Sequence, residues 1–207
     1  MRRTKLLLAT NNQAKVREYR GLLRGIPHQL VTLAEQGITT AVVESGESLE
    51  VNARLKATVM AAASGLLALA DDSGLEVDAL GGAPGPLSAR YAGVGATDAE
   101  RINFLLTCLK DIPAEKRTAR FRCIIAIATP EGRVALCEGE CRGLIATAPK
   151  GKHGFGYDPI FYLPDLGKTM AELLPEEKNR VSHRAQAAEK AREVLGKWPP
   201  TNYSRLS

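Results

Sequence analysis

Residues 66–77 read Leu66-Leu67-Ala68-Leu69-Ala70-Asp71-Asp72-Ser73-Gly74-Leu75-Glu76-Val77, an adjacent acid pair set between two short apolar runs. Apolar runs of this length bounded by Gly read as buried strands, which places the acids at a strand end. Unpaired carboxylates are costly there, so something positive should sit beside them. The residues leave two readings open. Either Asp71 or Asp72 caps a turn through its own backbone, or the pair belongs to a metal or general-base site.

Upstream, residues 5–9 read as a first strand and residues 13–23 as a helix with Val16, Tyr19, Leu22 and Leu23 on one face. Asn11 or Asn12 is a ready N-cap. Gly25-Ile26-Pro27-His28 closes this unit, with His28 assigned to the surface of a turn, and residues 29–33 form a short second strand. Residues 34–46 are irregular, after which Ser45 or Ser48 caps a helix over residues 49–63. Leu49, Asn52, Ala53, Lys56, Met60 and Ala63 share one face of that helix, so polar Asn52 and Lys56 stand one turn apart among apolar neighbours.

Downstream, the glycines and prolines of Gly81-Gly82-Ala83-Pro84-Gly85-Pro86 fix an unusual backbone path. Thr97 and Glu100 form a capping box for a helix reaching about residue 109. From Ala119 the pattern turns to period two, and Pro130-Glu131-Gly132 folds the chain back into a second long strand, giving a long antiparallel hairpin. A Gly-rich, basic and aromatic loop, residues 150–159, leads to a short strand at residues 160–162 and two closing helices at 175–180 and 182–195.

The 207 residues, 44% of them hydrophobic, suffice to bury a full core, so residues 1–207 are read as one domain. The apolar part of the N-terminal segment, Leu6-Leu7-Leu8-Ala9, is too short for a secretory core or a membrane span, so a cytoplasmic location and no membrane partner are expected. Cys108, Cys123, Cys137 and Cys141 lack paired C-x-x-C spacing and read as core thiols. On a strand Cys137 and Cys141 stand about 13 Å apart, too far for a shared metal or a disulfide. The net charge is +5, but residues 1–24 hold seven Lys/Arg against Glu18 alone, while the other 21 basic residues meet 22 acidic ones. A basic excess confined to the first strand and helix favours a phosphate-bearing small ligand over a nucleic-acid track.

Three constellations carry chemistry. Thr10-Asn11-Asn12-Gln13-Ala14-Lys15 is a strand end opening a helix, where free N–H groups and the helix dipole favour an anion and Lys15 adds a charge. It is not a P-loop, which needs G-x-x-x-x-G-K. Glu44, with Glu47 and Glu50 nearby, and Asp71-Asp72 could converge on Mg²⁺, a hard cation that takes carboxylates, waters and phosphate oxygens. Phe155, Tyr157, Asp158, Lys178, His183 and Arg184 combine a stacking surface with donors that only an acceptor can use, which suits a nucleotide whose base shows a keto group.

Taken together, Thr10-Asn11-Asn12-x-x-Lys15, Ala70-Asp71-Asp72-Ser73-Gly74-Leu75, Gly81-Gly82-Ala83-Pro84-Gly85 with Ser88-Ala89-Arg90-Tyr91, Phe155-Gly156-Tyr157-Asp158-Pro159 and Ser182-His183-Arg184 resemble the inosine triphosphate pyrophosphatase family, also called the non-canonical purine or XTP/dITP pyrophosphatases. The resemblance implies a homodimeric α/β protein, with a long mixed β-sheet flanked by helices and two lobes around a central substrate cleft. It also implies hydrolysis of ITP, dITP or XTP to the monophosphate and pyrophosphate with Mg²⁺. By position it implies that Thr10, Asn11, Asn12, Gln13, Ala14 and Lys15 hold the triphosphate. It implies likewise that Glu44 and Asp72 hold the metal, with Asp72 also serving as general base. Ser73, Phe155, Gly156, Tyr157, Asp158, Lys178, His183 and Arg184 are implied to contact the substrate, and Asn52 and Lys56 match positions that line the cleft. The chain departs from the family at Val51, where an acid is common, which leaves Glu44 as the metal candidate. Rival readings are a pyrophosphatase for other modified or canonical triphosphates, or a basic nucleic-acid-binding protein.

Overall fold

The computed structural model describes residues 4–40, 42–43 and 47–197. An eight-stranded mixed sheet runs through it, in the order β2 (Gln29–Thr32), β1 (Lys5–Leu8), β3 (Leu67–Val77), β5 (Thr118–Ala128), β6 (Val134–Ile145), β7 (Phe161–Leu163), β8 (Lys168–Thr169), with β4 (Pro84–Gly85) paired to β3 off this path. β1 is parallel to β2 and β3, and the remaining pairs are antiparallel. The parallel part follows from helical crossovers, since α1 (Gln13–Leu22) links β1 to β2 and α2 (Leu49–Ser64) precedes β3. The antiparallel part follows from the tight turn after β5.

The acid pair does not end a strand. β3 is one unbroken strand of 11 residues that carries Asp71-Asp72 in its middle, paired along almost its whole length with β5. Gly74 resembles a break in the sequence, but here it serves close approach: a Cβ would lie 2.3 Å from the Gly85 carbonyl oxygen of β4.

Successive strand residues face opposite sides of a sheet. Leu67 and Leu69 of β3 therefore pack with Val16 and Tyr19 of α1, Cys123, Ile125 and Ile127 of β5, and Ala187, Ala188, Ala191 and Leu195 of α5 (His183–Lys197). Ala68 and Ala70 face the other side, against Leu49, Ala53, Ala57, Met60 and Ala61 of α2. A third cluster, built on Leu75, Val77, Phe121 and Phe161 with Ile102 and Leu105 of α3 (Asp98–Cys108), fills the far end.

The helix ends are fixed as their sequences dictate. Asn12 Oδ1 accepts from the Ala14 and Lys15 amides, Ser48 caps α2, and Thr97 with Glu100 forms the capping box of α3. α4 (Pro175–Val181) then leads to α5. His28 differs from the surface assignment: it is buried, because the chain turns directly from it into β2 and carries the ring inward. Cys137 and Cys141 are buried free thiols on β6, and burial pushes the Cys141 thiol up to about 11.

Candidate active site

The site begins where β3 loses a neighbour. On the β1 side, pairing stops at Leu8 with Leu69 and resumes only at β4 with Leu75. The intervening edge opens into a cleft of about 400 Å³, lined by Thr10, Asn11, Asn12, Lys15, Lys56, Asp72, Ser73, Phe155, Gly156, Tyr157, Asp158, Lys178, His183 and Arg184 among others. Fourteen of the sequence-derived residues thus meet in one place.

The strand's period of two splits the acid pair between the two sides of the sheet. Asp72 faces α2, where Asn52 Nδ2 donates to its Oδ2 at 3.0 Å and Lys56 Nζ lies 3.0 Å from its Oδ1. The helical spacing of Asn52 and Lys56 serves this one carboxylate. Asp71 faces α1 and α5, its Oδ2 lying 2.9 Å from Lys15 Nζ and 3.5 Å from Arg184 Nε. Burial pushes both carboxyls up. At Asp71 the opposing charges of Lys15 and Arg184 outweigh burial and hold the carboxyl well below the usual range. At Asp72 burial outweighs Lys56, and the carboxyl stays above it.

From Asp71 an alternating row of charges runs beneath the cleft. Arg184 Nη1 donates to Glu18 Oε2 at 2.6 Å, Glu18 Oε1 lies 2.8 Å from Lys178 Nζ, and Lys178 donates to Asp158. Each charge has opposite neighbours, which makes their burial tolerable. Arg184 and Lys178 stand 5.4 and 5.1 Å from the centroid of the Phe155 ring, and Arg184 Nη2 donates to Ser73 Oγ at 3.0 Å. His183 stacks on Phe121, centroids 4.7 Å apart at 15°. Burial, with Arg184 and Lys178 beside it, holds the His183 ring well below the usual histidine range, so it is neutral at pH 7.

Some residues fall differently from expectation. Gln13 and Ala14 lie outside the cleft lining, and the Ala14 and Lys15 amides are already taken by the Asn12 cap, so an anion there would rely on side chains more than on the free helix end. Asn52 is fully buried behind Asp72. Asp158 is only 2% exposed and is committed to the Phe155 amide and to Lys178, so it orders the loop. Glu44 lies outside the described residues. The sequence reading missed Glu18 and Phe121. Glu18's signal was faint: the lone acid of a basic helix, three residues from Lys15.

Among the described residues no group of three or more His, Cys, Asp or Glu could hold a metal ion. The donor set instead fits a cation shared with a ligand, because Mg²⁺ is commonly held by one or two carboxylates together with substrate phosphates and waters. Asp72 lines the cleft and would supply one such carboxylate, its oxygens also meeting Asn52 and Lys56.

This arrangement has recognisable relatives. A profile of the Ham1 family matches residues 6–194. The chain belongs to the Ham1 family. A dITP/XTP pyrophosphatase from Desulforamulus reducens is 51% identical over 193 residues, covering 93% of this chain and 96% of that one. The dITP/XTP pyrophosphatase of Bacillus subtilis is 46% identical over 91% of this chain and 96% of its own. Among solved structures, a HAM1 protein from Coxiella burnetii superposes with a TM-score of 0.86 at 43% identity, covering 94% of this chain and all of that one. The mixed sheet flanked by helices is therefore the Ham1 architecture, as the resemblance implied.

Proposed function

We propose that this Ham1 protein hydrolyses non-canonical purine nucleoside triphosphates, ITP, dITP and XTP, to the monophosphate and pyrophosphate. The observation that carries the reading is one cleft lined both by a cation-and-acid set, Lys15, Lys56 and Asp72, and by an aromatic-and-donor set, Phe155, Lys178, His183 and Arg184. The Ham1 relatives bearing the name dITP/XTP pyrophosphatase support it.

In this reading the triphosphate lies along Thr10, Asn11, Asn12, Lys15 and Lys56, and the base lies against Phe155. Asp72 accepts the proton of a water whose oxygen attacks the α-phosphorus. The bond from the α-phosphorus to the bridging oxygen breaks, and pyrophosphate leaves with that bond's electron pair, its charge met by Lys15. Asp72, with Glu44, would hold a divalent cation, Mg²⁺ in our reading, which when bound would neutralise phosphate charge and lower the pKa of a coordinated water. Lys178, Arg184 and neutral His183 surround the base edge. A purine with a 6-keto acceptor satisfies their donors, whereas adenine's amino group would leave buried donors unpaired, a mismatch worth about 1–3 kcal/mol for each group.

The enzyme is further read as a homodimer in the cytoplasm, with residues 1–207 as one domain. Among the described residues no helix is long and apolar enough to cross a membrane. The direct test is product analysis: dITP with Mg²⁺ should give dIMP and pyrophosphate in equal amounts by anion-exchange chromatography. Release of dIDP and orthophosphate would refute the assigned bond cleavage.

A further inference from the structure

We propose that Asp71 is a positioning residue that couples the phosphate end of the cleft to its base end. This inference rests on the functional reading above and assigns a role that reading leaves empty. Asp71 does not line the cleft, and its side chain has no exposed surface, so it acts through its partners. Those partners, Lys15 on α1 and Arg184 on α5, both line the cleft, one among the phosphate-facing residues and the other beside Phe155 and Ser73.

The ion pair to Arg184 is incomplete. Lys15 occupies Asp71 Oδ2 at 2.9 Å, and Arg184 Nε reaches the same oxygen only at 3.5 Å. Asp71 Oδ1 and Arg184 Nε are both buried without a hydrogen-bond partner. A buried carboxylate oxygen and a buried guanidinium N–H, each without a hydrogen bond on two residues already in ionic contact, leave that contact open to strengthening. Glu18 and Ser73 hold the two terminal nitrogens of the same guanidinium, which leaves Nε as the nitrogen turned toward the carboxylate, 3.5 Å from Oδ2.

Lys15 is the element that moves. Its side chain is 13% exposed at the cleft wall, so a triphosphate can draw Nζ away from Asp71. The carboxylate then turns its full charge and both oxygens to Arg184, which fixes the guanidinium at the base end. By linkage the effect is reciprocal, and a base that engages Arg184 favours release of Lys15 toward the phosphates. Discrimination between bases should therefore be sharper when the phosphate chain is long enough to engage Lys15.

The test compares two ratios by calorimetry in Mg²⁺: the affinity of IMP over AMP, and that of α,β-methylene ITP over α,β-methylene ATP. In each ratio the phosphate charge cancels, and so does any loss of folded protein. In the wild-type chain the triphosphate ratio should exceed the monophosphate ratio by about fivefold or more, the lower range of measured couplings. Asp71→Asn should make the two ratios equal. Lys15→Met, which leaves Asp71 permanently to Arg184, should raise the monophosphate ratio to the wild-type triphosphate ratio. It also keeps the test open should Asp71→Asn fail to fold. Equal ratios above one in the wild-type chain, an undiminished difference in Asp71→Asn, or an unchanged monophosphate ratio in Lys15→Met would each overturn the coupling. A wild-type chain preferring hypoxanthine in neither pair would instead refute the functional reading itself.

Discussion

Asp72 and Asp71 are adjacent in sequence and opposite in circumstance, because a strand sends neighbouring side chains to opposite faces. Asp72 reaches the cleft between Asn52 and Lys56, and its removal should stop turnover. Asp72→Asn is expected to lower kcat for dITP by about 10²–10⁴-fold. The melting temperature should be little changed, since burial already disfavours the ionised acid. Steady-state kinetics beside a thermal melt checks this, and near-normal turnover would remove Asp72 from the chemistry. Asn52 and Lys56 were legible as a polar pair because the helical period puts them on one face, and Asp72 was singled out by its motif. That the three meet was not legible, because the acids read as a strand end rather than the middle of β3. Glu18 was not legible either. An acid three residues from a lysine resembles ordinary helix-surface pairing, and its partners Lys178 and Arg184 lie at the other end of the chain.

At the level of elements, the base end of the cleft depends on how closely α5 lies on β6. A Cβ at Gly139 of β6 would stand 2.1 Å from the His183 carbonyl oxygen and 2.5 Å from the Ala187 amide nitrogen, both backbone atoms of α5. Gly139→Ala must push the helix away, and overpacking of this kind costs about 1–3 kcal/mol. Because α5 carries His183 and Arg184, KM for dITP should rise along with the loss of stability measured by urea unfolding. An unchanged KM in the folded variant would detach the base end from this packing. The helices, their caps and the long hairpin were readable from period and turn chemistry. The continuity of β3 was not, since Gly74 marks a boundary in a one-dimensional reading and a close contact with β4 in three dimensions. The short strands β4 and β8 were also out of reach, because two residues carry no period.

Across the whole molecule, buried ionisable groups set how stability follows pH. His183 is held well below 6.5 by burial and by Arg184 and Lys178, and burial lowers His28 in the same direction. The unfolded chain takes up protons at these residues as pH falls through 6.5, while the folded chain does not. Their contribution is thus complete above 6.5 and is lost as pH drops toward the folded values. The melting temperature should fall between about pH 7.5 and about pH 5.5, and less steeply in His183→Gln. Asp72 and Asp158, raised from 3.8 by burial, oppose this trend at the acid end. A wild-type melting temperature independent of pH over this range would contradict the neutral, buried state of His183. That state matters because, in the proposed function, a neutral ring beside Lys178 and Arg184 would read a base by hydrogen bonds. The most direct test of that reading is kcat/KM for pyrophosphate release, with Mg²⁺, across ITP, dITP, XTP and the canonical triphosphates. The account predicts that ITP, dITP and XTP exceed ATP and dATP, which lack the 6-keto acceptor, by at least about a hundredfold, the scale of unpaired buried donors. Equal values for ITP and ATP would contradict it.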